Sequence, residues 1–172
     1  MKPKYIKGPD ILLKTLKLAK ANIKNLFVLL TAPARGYVKK GLDDLAIDYK
    51  HFENIKYSEL PKLYNCLDTY LITSRDEGGP LGMFEAMACG VPVVTTKVGT
   101  AFDSIVNGKN GFCAELDDFQ TLAKYIKIIH KDNYLKKKII NQSLIEASKH
   151  TRRQHKILWK KFFMKLKEFN NF

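Results

Sequence analysis

Asp76-Glu77-Gly78-Gly79-Pro80-Leu81-Gly82-Met83-Phe84-Glu85-Ala86-Met87-Ala88-Cys89-Gly90-Val91-Pro92-Val93-Val94 reads as a strand end, an acidic glycine loop, a short helix, a turn and a second strand. Pro80 suits the first helical position, where its missing N–H would have no intrahelical partner. Gly90 suits the left-handed residue that closes a helix, and Pro92 blocks its resumption. Val91 to Thr96 is short and β-branched, the pattern of a strand buried on both faces. The helix between is apolar nearly all round (Leu81, Met83, Phe84, Ala86, Met87, Ala88), so it is expected to be buried. Glu85 is its only charge, and a buried carboxylate needs partners.

The spacing of Glu77 and Glu85 limits what they can do. On one continuous helix they would lie ~12 Å apart along the axis and about 80° apart around it, too far to share a metal or a proton. Gly78-Gly79-Pro80 cannot be helix interior, so Glu77 belongs to the loop before the helix. Two carboxylates then stand at different heights beside a helix N-terminus, whose free N–H groups and dipole attract an anion. A ligand with hydroxyls at both ends and phosphate in the middle satisfies all three features, and a nucleotide diphospho-sugar has that layout. The bland alternative makes Glu77 a solvated loop residue, Glu85 a cap for a neighbouring element, and the two glycines servants of the turn.

The rest of the chain alternates as an α/β domain should. Asp10 is expected to cap a helix with apolar positions Leu12, Leu13, Leu16, Leu18 and Ala19, followed by a strand over Leu26–Leu30. Residues 35–51 are ambiguous between short helix and loop. Asn54–Tyr57 reads as a short strand, Ser58 to about Cys66 as a helix, and Thr69–Thr73 as the strand that delivers the acidic loop. Asp103 reads as a helix cap, Gly111–Ala114 as the last strand, and Asp117 as the cap of a helix reaching about His130. Two more helices, 132–149 and 151–169, complete a chain without repeats or low-complexity tracts.

Glu77-x7-Glu85, the tail Ala-Met-Ala-Cys-Gly-Val-Pro-Val-Val, Gly99 and Asn107-Gly108-Lys109-Asn110-Gly111-Phe112 together resemble the donor-binding, C-terminal domain of a GT-B fold retaining glycosyltransferase of the family 4, or group 1, type. The resemblance is dense over residues 71–112. It extends more thinly to Lys7-Gly8-Pro9-Asp10 and to residues 54–74. It implies an α/β fold with a Rossmann-like parallel sheet, helices on both faces and further C-terminal helices. It also implies roles. Glu77 would stand by the donor sugar and stabilise charge at the anomeric carbon, and Gly78, Gly79, Pro80, Leu81 and Gly82 would hold the diphosphate and sugar. Glu85 would accept hydrogen bonds from the ribose hydroxyls. Lys7 would bind phosphate, and the base would lie near Lys56 and Tyr57. The donor would be a UDP- or GDP-sugar and the acceptor a glycan or lipid-linked molecule. No metal and no other cofactor is expected, since Lys7 and the helix N-terminus would neutralise the leaving group.

The chain departs from the family pattern in three places. The arginine six residues before the family lysine is replaced by Met1. The glycine-rich turn after the second strand is replaced by Leu29-Leu30-Thr31-Ala32-Pro33-Ala34-Arg35-Gly36, with Arg35 a substitute cation. The acceptor-binding N-terminal domain is absent. At 172 residues the chain suits one domain that buries ~70% of its unfolded surface. The expectation is therefore a single donor-binding domain over 1–172, half of a transferase, whether fragment, truncated gene or one subunit of a split enzyme with a partner subunit. Alone it should bind donor and transfer poorly.

The charge is lopsided: residues 124–172 carry 14 Lys and Arg against three acids, within a whole-chain net charge of +13. The last helix mixes its lysines with Trp159, Phe162, Phe163 and Phe169. A core-packing stripe with a solvated basic face, a contact with an anionic membrane surface or a partner, or, as the resemblance implies, packing of the last helix back on the missing domain fits that pattern. Cys66, Cys89 and Cys113 match no metal spacing and are expected to be buried, reduced thiols of a cytoplasmic protein. The four histidines form no ligand set. Neither a Gly-x-Gly-x-x-Gly nor a Walker loop is present, so hydride transfer and ATP hydrolysis have no support. No apolar run is long enough to span a membrane, so any membrane association would be peripheral, at the inner face. No nucleic-acid partner is expected. A sugar-nucleotide 2-epimerase of the same fold, and a basic binding module with a degenerate pocket, remain as rivals.

Overall fold

The computed structural model describes residues 5–33 and 35–169; Met1, where the family arginine is missing, lies outside them, as does Ala34. A single 3-10 turn, Tyr5–Lys7, leads into α1 (Pro9–Lys20). The chain continues through β1 (Phe27–Thr31), α2 (Gly36–Asp44), β2 (Asp48–Phe52), a second 3-10 turn (Tyr57–Glu59), α3 (Leu60–Tyr64) and β3 (Tyr70–Ile72). Next come α4 (Leu81–Ala88), β4 (Val93–Thr96), α5 (Ala101–Ser104), β5 (Phe112–Ala114), α6 (Phe119–Lys131), α7 (Asn133–Lys149) and α8 (Arg152–Phe169).

Every strand pairing is parallel. β1 pairs with β2 from Phe27↔Asp48 to Thr31↔Phe52. β4 lies between β3 and β5, with Leu71↔Val94 and Val94↔Phe112 as central partners. The expected parallel sheet is thus present as a two-strand and a three-strand ladder, joined by side chains such as Leu71 that pack into both neighbouring clusters. Helices cover both faces, the Rossmann-like arrangement. Successive residues of a strand point to opposite faces. Val93 accordingly packs among Met83, Met87 and Ile105 on the α4 side, while Val94 packs among Ile11, Leu122 and Ile126 on the α1 and α6 side. All four residues of β4 are buried, as its run of β-branched side chains predicts.

Several local expectations are corrected. Asn54–Tyr57 is not a strand; it is irregular chain that ends in the 3-10 turn carrying Tyr57. Residues 36–52 resolve into α2 and the additional strand β2, whose polar alternation (Asp48, Lys50) hides it from a hydrophobicity reading. Asp10 does not cap α1: Gly8 occupies the cap position and the Asp10 carboxylate is held by Arg75 instead. Asp118, not Asp117, caps α6, accepting from the Thr121 N–H at 2.9 Å. Asp103 lies inside α5, whose cap position is Thr100. Pro80 sits one residue before the helix rather than at its first position, and Leu81 is exposed. Cys66 is exposed, whereas Cys89 and Cys113 are half-buried, and all three are free thiols. On α8 every described side chain is exposed, so the core-packing reading of that helix fails.

The turn after β1 shows what replaced the family's glycines. Ala32 holds φ +71, a left-handed conformation costing a residue with a Cβ ~1 kcal/mol or more. Its carbonyl lies 2.8 Å from the His51 Nε2, which fixes that geometry from β2. Ala32→Gly should therefore raise stability by about 0.5–1 kcal/mol, the relieved strain exceeding the added freedom of the unfolded chain. Urea unfolding of the two proteins checks this.

Candidate functional site

The motif residues gather where the N-terminal segment crosses the carboxyl ends of the strands. Gly8 makes that crossing feasible. Its φ is +58, and a Cβ there would fall 1.8 Å from the Thr73 carbonyl oxygen, so only glycine lets the chain pass over the end of β3. The Thr73 hydroxyl donates to the Gly8 carbonyl at 3.0 Å, and the Arg75 N–H donates to the Ile6 carbonyl at 2.7 Å. Lys7 is carried to the acidic loop by this docking. Its Nζ donates to Glu77 Oε1 at 2.6 Å, and the Ser74 hydroxyl donates to the same oxygen at 2.8 Å.

Burial raises the Glu77 carboxyl, yet the Lys7 ammonium and the Ser74 hydroxyl outweigh it and hold the group below the usual carboxylate range. Glu77 is therefore an anion at neutral pH, paired with a cation that is half-exposed and free to turn toward a ligand. Gly99 supports the loop from beneath, at φ +46 and so close that a Cβ would press on the carbonyls of Glu77 and Gly78. The amide groups of Gly78, Gly79, Leu81 and Gly82 donate to no protein acceptor among the described residues. Those donors and the N-terminus of α4 remain available to an anion.

Glu85 has the partners that a carboxylate on an apolar helix needs. The Tyr64 hydroxyl donates to its Oε2 at 2.8 Å and the Tyr57 hydroxyl to its Oε1 at 3.1 Å. Tyr64 is buried, and that burial, with the neighbouring Tyr70 and Glu85, pushes its phenol well above the ordinary value, so it stays a donor. Tyr57 is two-thirds exposed, so its bond can be exchanged. Tyr57 thus meets Glu85 directly. Lys56 precedes it as the extended residue that opens the 3-10 turn, with no side-chain partner among the described residues.

Two groups of this site were not singled out from the sequence. Tyr64 falls seven residues after Tyr57, and only the bend between the 3-10 turn and α3 aims both phenols at one carboxylate. Arg75, two residues before Glu77, grips Asp10 with both guanidinium ends (2.9 and 2.7 Å), Asp117 through Nε (2.7 Å) and the Tyr5 carbonyl (2.9 Å). Its guanidinium also stacks 3.9 Å from the centre of the Tyr5 ring. Asp10 holds Arg75 even more firmly charged than usual, and Arg75 in turn lowers Asp10. An arginine beside the acidic loop, with an aspartate three residues after Lys7, was the available signal. Arg35, expected from the sequence as a candidate for the missing cation, donates its Nε to the Thr31 carbonyl at 2.7 Å. Among the described residues no three His, Cys, Asp or Glu side chains are gathered so as to hold a metal ion.

The family model for glycosyl transferases group 1 matches residues 3–145, from the Lys7 segment to the middle of α7. The chain belongs to this family. Its curated relatives include the capsular polysaccharide biosynthesis glycosyltransferase CapM of Staphylococcus aureus, 37% identical over 76 residues, or 44% of this chain and 20% of that protein. The chain spans between a fifth and about two fifths of the length of the first such relatives. The C-terminal domain of LpcC, a glycosyl transferase group 1 family protein from Francisella tularensis, has the same fold, with TM-score 0.75 over 85% of this chain and 80% of that one at 21% identity. HepE from Anabaena, solved in complex with UDP-glucose, matches with TM-score 0.72 at 25% identity, covering 86% of this chain and 42% of that one. The fold is that of a GT-B C-terminal domain. Among the described residues no helix is long and apolar enough to cross a membrane.

Proposed function

We propose that residues 1–172 are the donor-binding half of a retaining hexosyltransferase, taking a UDP- or GDP-sugar for transfer to a glycan or lipid-linked acceptor at the cytoplasmic side of the membrane. The observation that carries this reading is the Lys7–Glu77 contact at 2.6 Å beside the unpaired amides of Gly78–Gly82. A cation and an anion stand ready at the two places where a diphospho-sugar presents phosphate and hydroxyls. HepE's complex with UDP-glucose supports the same ligand class.

In this reading the diphosphate lies against the α4 N-terminus and draws Lys7 from Glu77 to a phosphate oxygen. Glu77, released as an anion, accepts from the sugar hydroxyls and faces the positive charge that grows at the anomeric carbon as the bond to phosphate lengthens. The acceptor hydroxyl attacks from the face the diphosphate leaves and passes its proton to the departing phosphate oxygen, which Lys7 and the loop amides stabilise as the bond to the anomeric carbon breaks. The ribose hydroxyls displace Tyr57 from Glu85 while Tyr64 stays, and the freed Tyr57 ring and Lys56 flank the base. A second domain, or a partner subunit, supplies the acceptor site.

Calorimetric titration with UDP, GDP and their sugar conjugates tests this reading, with Glu85→Gln alongside. Glutamine keeps an oxygen for Tyr64 but loses the charge-assisted bonds to ribose, so affinity for one nucleotide should fall at least about tenfold with the unfolding temperature little changed. Equal affinity in the variant, or no saturable binding of any nucleotide to the parent chain, would overturn the assignment.

A further inference from the structure

The Glu85 carboxylate ends a flexible side chain, and its two oxygens are held in unequal ways. Oε2 is held from the core. Tyr64 closes α3, and it is 9% exposed, packed among Ile72, Met83 and Met87 beneath α4. The ring of Tyr70 meets it edge-on with centroids 5.5 Å apart. A ring enclosed in this way cannot swing, so the core sets the direction of its hydroxyl. That hydroxyl donates to Oε2 at 2.8 Å. Gly82 makes the room for it, three residues before Glu85 on the same face of α4. A Cβ there would lie 3.3 Å from the Tyr64 hydroxyl oxygen and 2.5 Å from that of Tyr70. Oε1 is held from the surface, by the Tyr57 hydroxyl at 3.1 Å, and Tyr57 is two-thirds exposed.

We propose that Tyr64 is a positioning residue for sugar-ring recognition: by pinning Oε2 it turns Oε1 toward the nucleotide, and the preference for ribose over deoxyribose depends on that bond. The proposal rests on the donor reading above and refines it. A carboxyl group turns readily about its last bond, whereas a ribose hydroxyl needs an acceptor in one place. An oxygen fixed before the ligand arrives spares the ordering cost that binding would otherwise carry. Tyr64 can hold its bond through the binding event because it donates from the core side, where no ligand hydroxyl can replace it. Burial raises its phenol, so it remains a donor throughout the neutral range. Tyr57, on the solvent side, is the partner that ribose displaces. Tyr64 itself touches no part of the nucleotide and acts only through Glu85.

Tyr64→Phe keeps the packed ring and removes only the bond. The test is calorimetric titration of the whole chain and this variant with UDP, GDP and their 2′-deoxy counterparts. The parent should bind one ribonucleotide at least about tenfold more tightly than its 2′-deoxy form, the worth of a hydrogen bond to a charged oxygen. In Tyr64→Phe that preference should shrink to about threefold or less, with affinity for the deoxynucleotide within about twofold of the parent's. A general packing defect would instead weaken both nucleotides alike. Tyr57→Phe, which leaves Oε2 pinned, should keep the parent's preference. If Tyr64→Phe retained the full preference, or lost affinity for both nucleotides equally, the proposal would be overturned and the donor reading would stand. A parent chain that binds no nucleotide overturns the donor reading, and one that binds ribose and deoxyribose forms equally overturns its ribose assignment; this proposal falls with either. Should the variant be too unstable to titrate, a crystal structure of the parent with its nucleotide decides the matter. Tyr64 still on Oε2 with ribose on Oε1 is expected there, and a ribose hydroxyl on Oε2 in place of Tyr64 would overturn the proposal.

Discussion

Gly8→Ala is expected to be the most damaging single-methyl change in the chain, lowering stability by about 3 kcal/mol. The new Cβ would fall 1.8 Å from the Thr73 carbonyl oxygen, a backbone atom just past the end of β3 that cannot swing aside. Strain at φ +58 contributes ~1 kcal/mol and the enforced separation of two backbones another ~2 kcal/mol. For a chain of this size that is a fall in unfolding temperature of about 10 °C. The damage should be functional as well. If the N-terminal segment lifts off β3, Lys7 leaves Glu77 and nucleotide affinity falls even at temperatures where the domain is folded. Gly36→Ala is the control: an added Cβ there meets nothing within 4 Å at the start of α2, and stability should be unchanged or slightly raised. Parallel thermal unfolding of the three proteins measures both effects, and an unfolding temperature for Gly8→Ala within 2 °C or so of the parent would refute the crossing geometry.

Arg75→Leu should be nearly as costly, about 2–3 kcal/mol, for an electrostatic reason. The guanidinium is 12% exposed and holds two carboxylates, Asp10 and Asp117, that would lose this cationic partner. Both acids keep a share of solvent, 33% and 50%, which is why the loss stays below that of a fully buried pair. The variant also carries a pH signature. In the parent, the hydrogen bond from Arg75 lowers Asp10 against the opposing effect of burial. Its contribution is therefore complete above the unfolded carboxylate value and is lost as pH falls through the depressed folded one. Glu77 acts in the same direction. Without Arg75, only the backbone N–H groups of Asp10 and Ile11 still lower Asp10 against burial, so acidification from neutral pH should destabilise the variant less than the parent. Stability measured by urea at pH 7 and pH 4 checks the sign: the gap between the two proteins should narrow toward acid. A gap that widens would place the stabilising charge elsewhere.

The two changes act on one piece of architecture, the docking of residues 5–10 across the strand ends. That docking was only half legible in the sequence. Residues 76–94 could be read closely because each decisive feature is local: two glycines and a proline after Glu77 keep it out of the helix, Gly90 at φ +71 ends that helix, and β-branched residues make the buried strand. What was misread depends on groups far apart in the chain. Asp10 looks like a helix cap until Arg75, 65 residues away, takes its carboxylate. Asp117 is drawn to the same arginine, which leaves Asp118 to cap α6. The segment Asn54–Tyr57 has strand-like composition, but Tyr57 turns back to meet Glu85, 28 positions on. β2 escaped notice because an edge strand with one side toward solvent can be as polar as Asp48-Tyr-Lys-His-Phe.

The candidate site follows the same division. Glu77, Glu85 and the glycine loop between them could be placed from spacing alone, and the structure sets them in the expected loop and helix. Their partners could not. Lys7 reaches Glu77 across 70 positions, and Tyr64 reaches Glu85 across 21. These partners keep the two carboxylates hydrogen-bonded without a ligand, and two of the contacts, Lys7 and Tyr57, are exposed enough to be traded.

A crystal structure of the domain soaked with UDP tests whether the nucleotide takes over these two contacts. The expected result is a diphosphate against the amides of Gly78–Gly82 with Lys7 turned from Glu77 to a phosphate oxygen, and ribose hydroxyls on Glu85 where Tyr57 now donates. A nucleotide bound elsewhere, or one bound here with both the Lys7–Glu77 and Tyr57–Glu85 contacts intact, would contradict it.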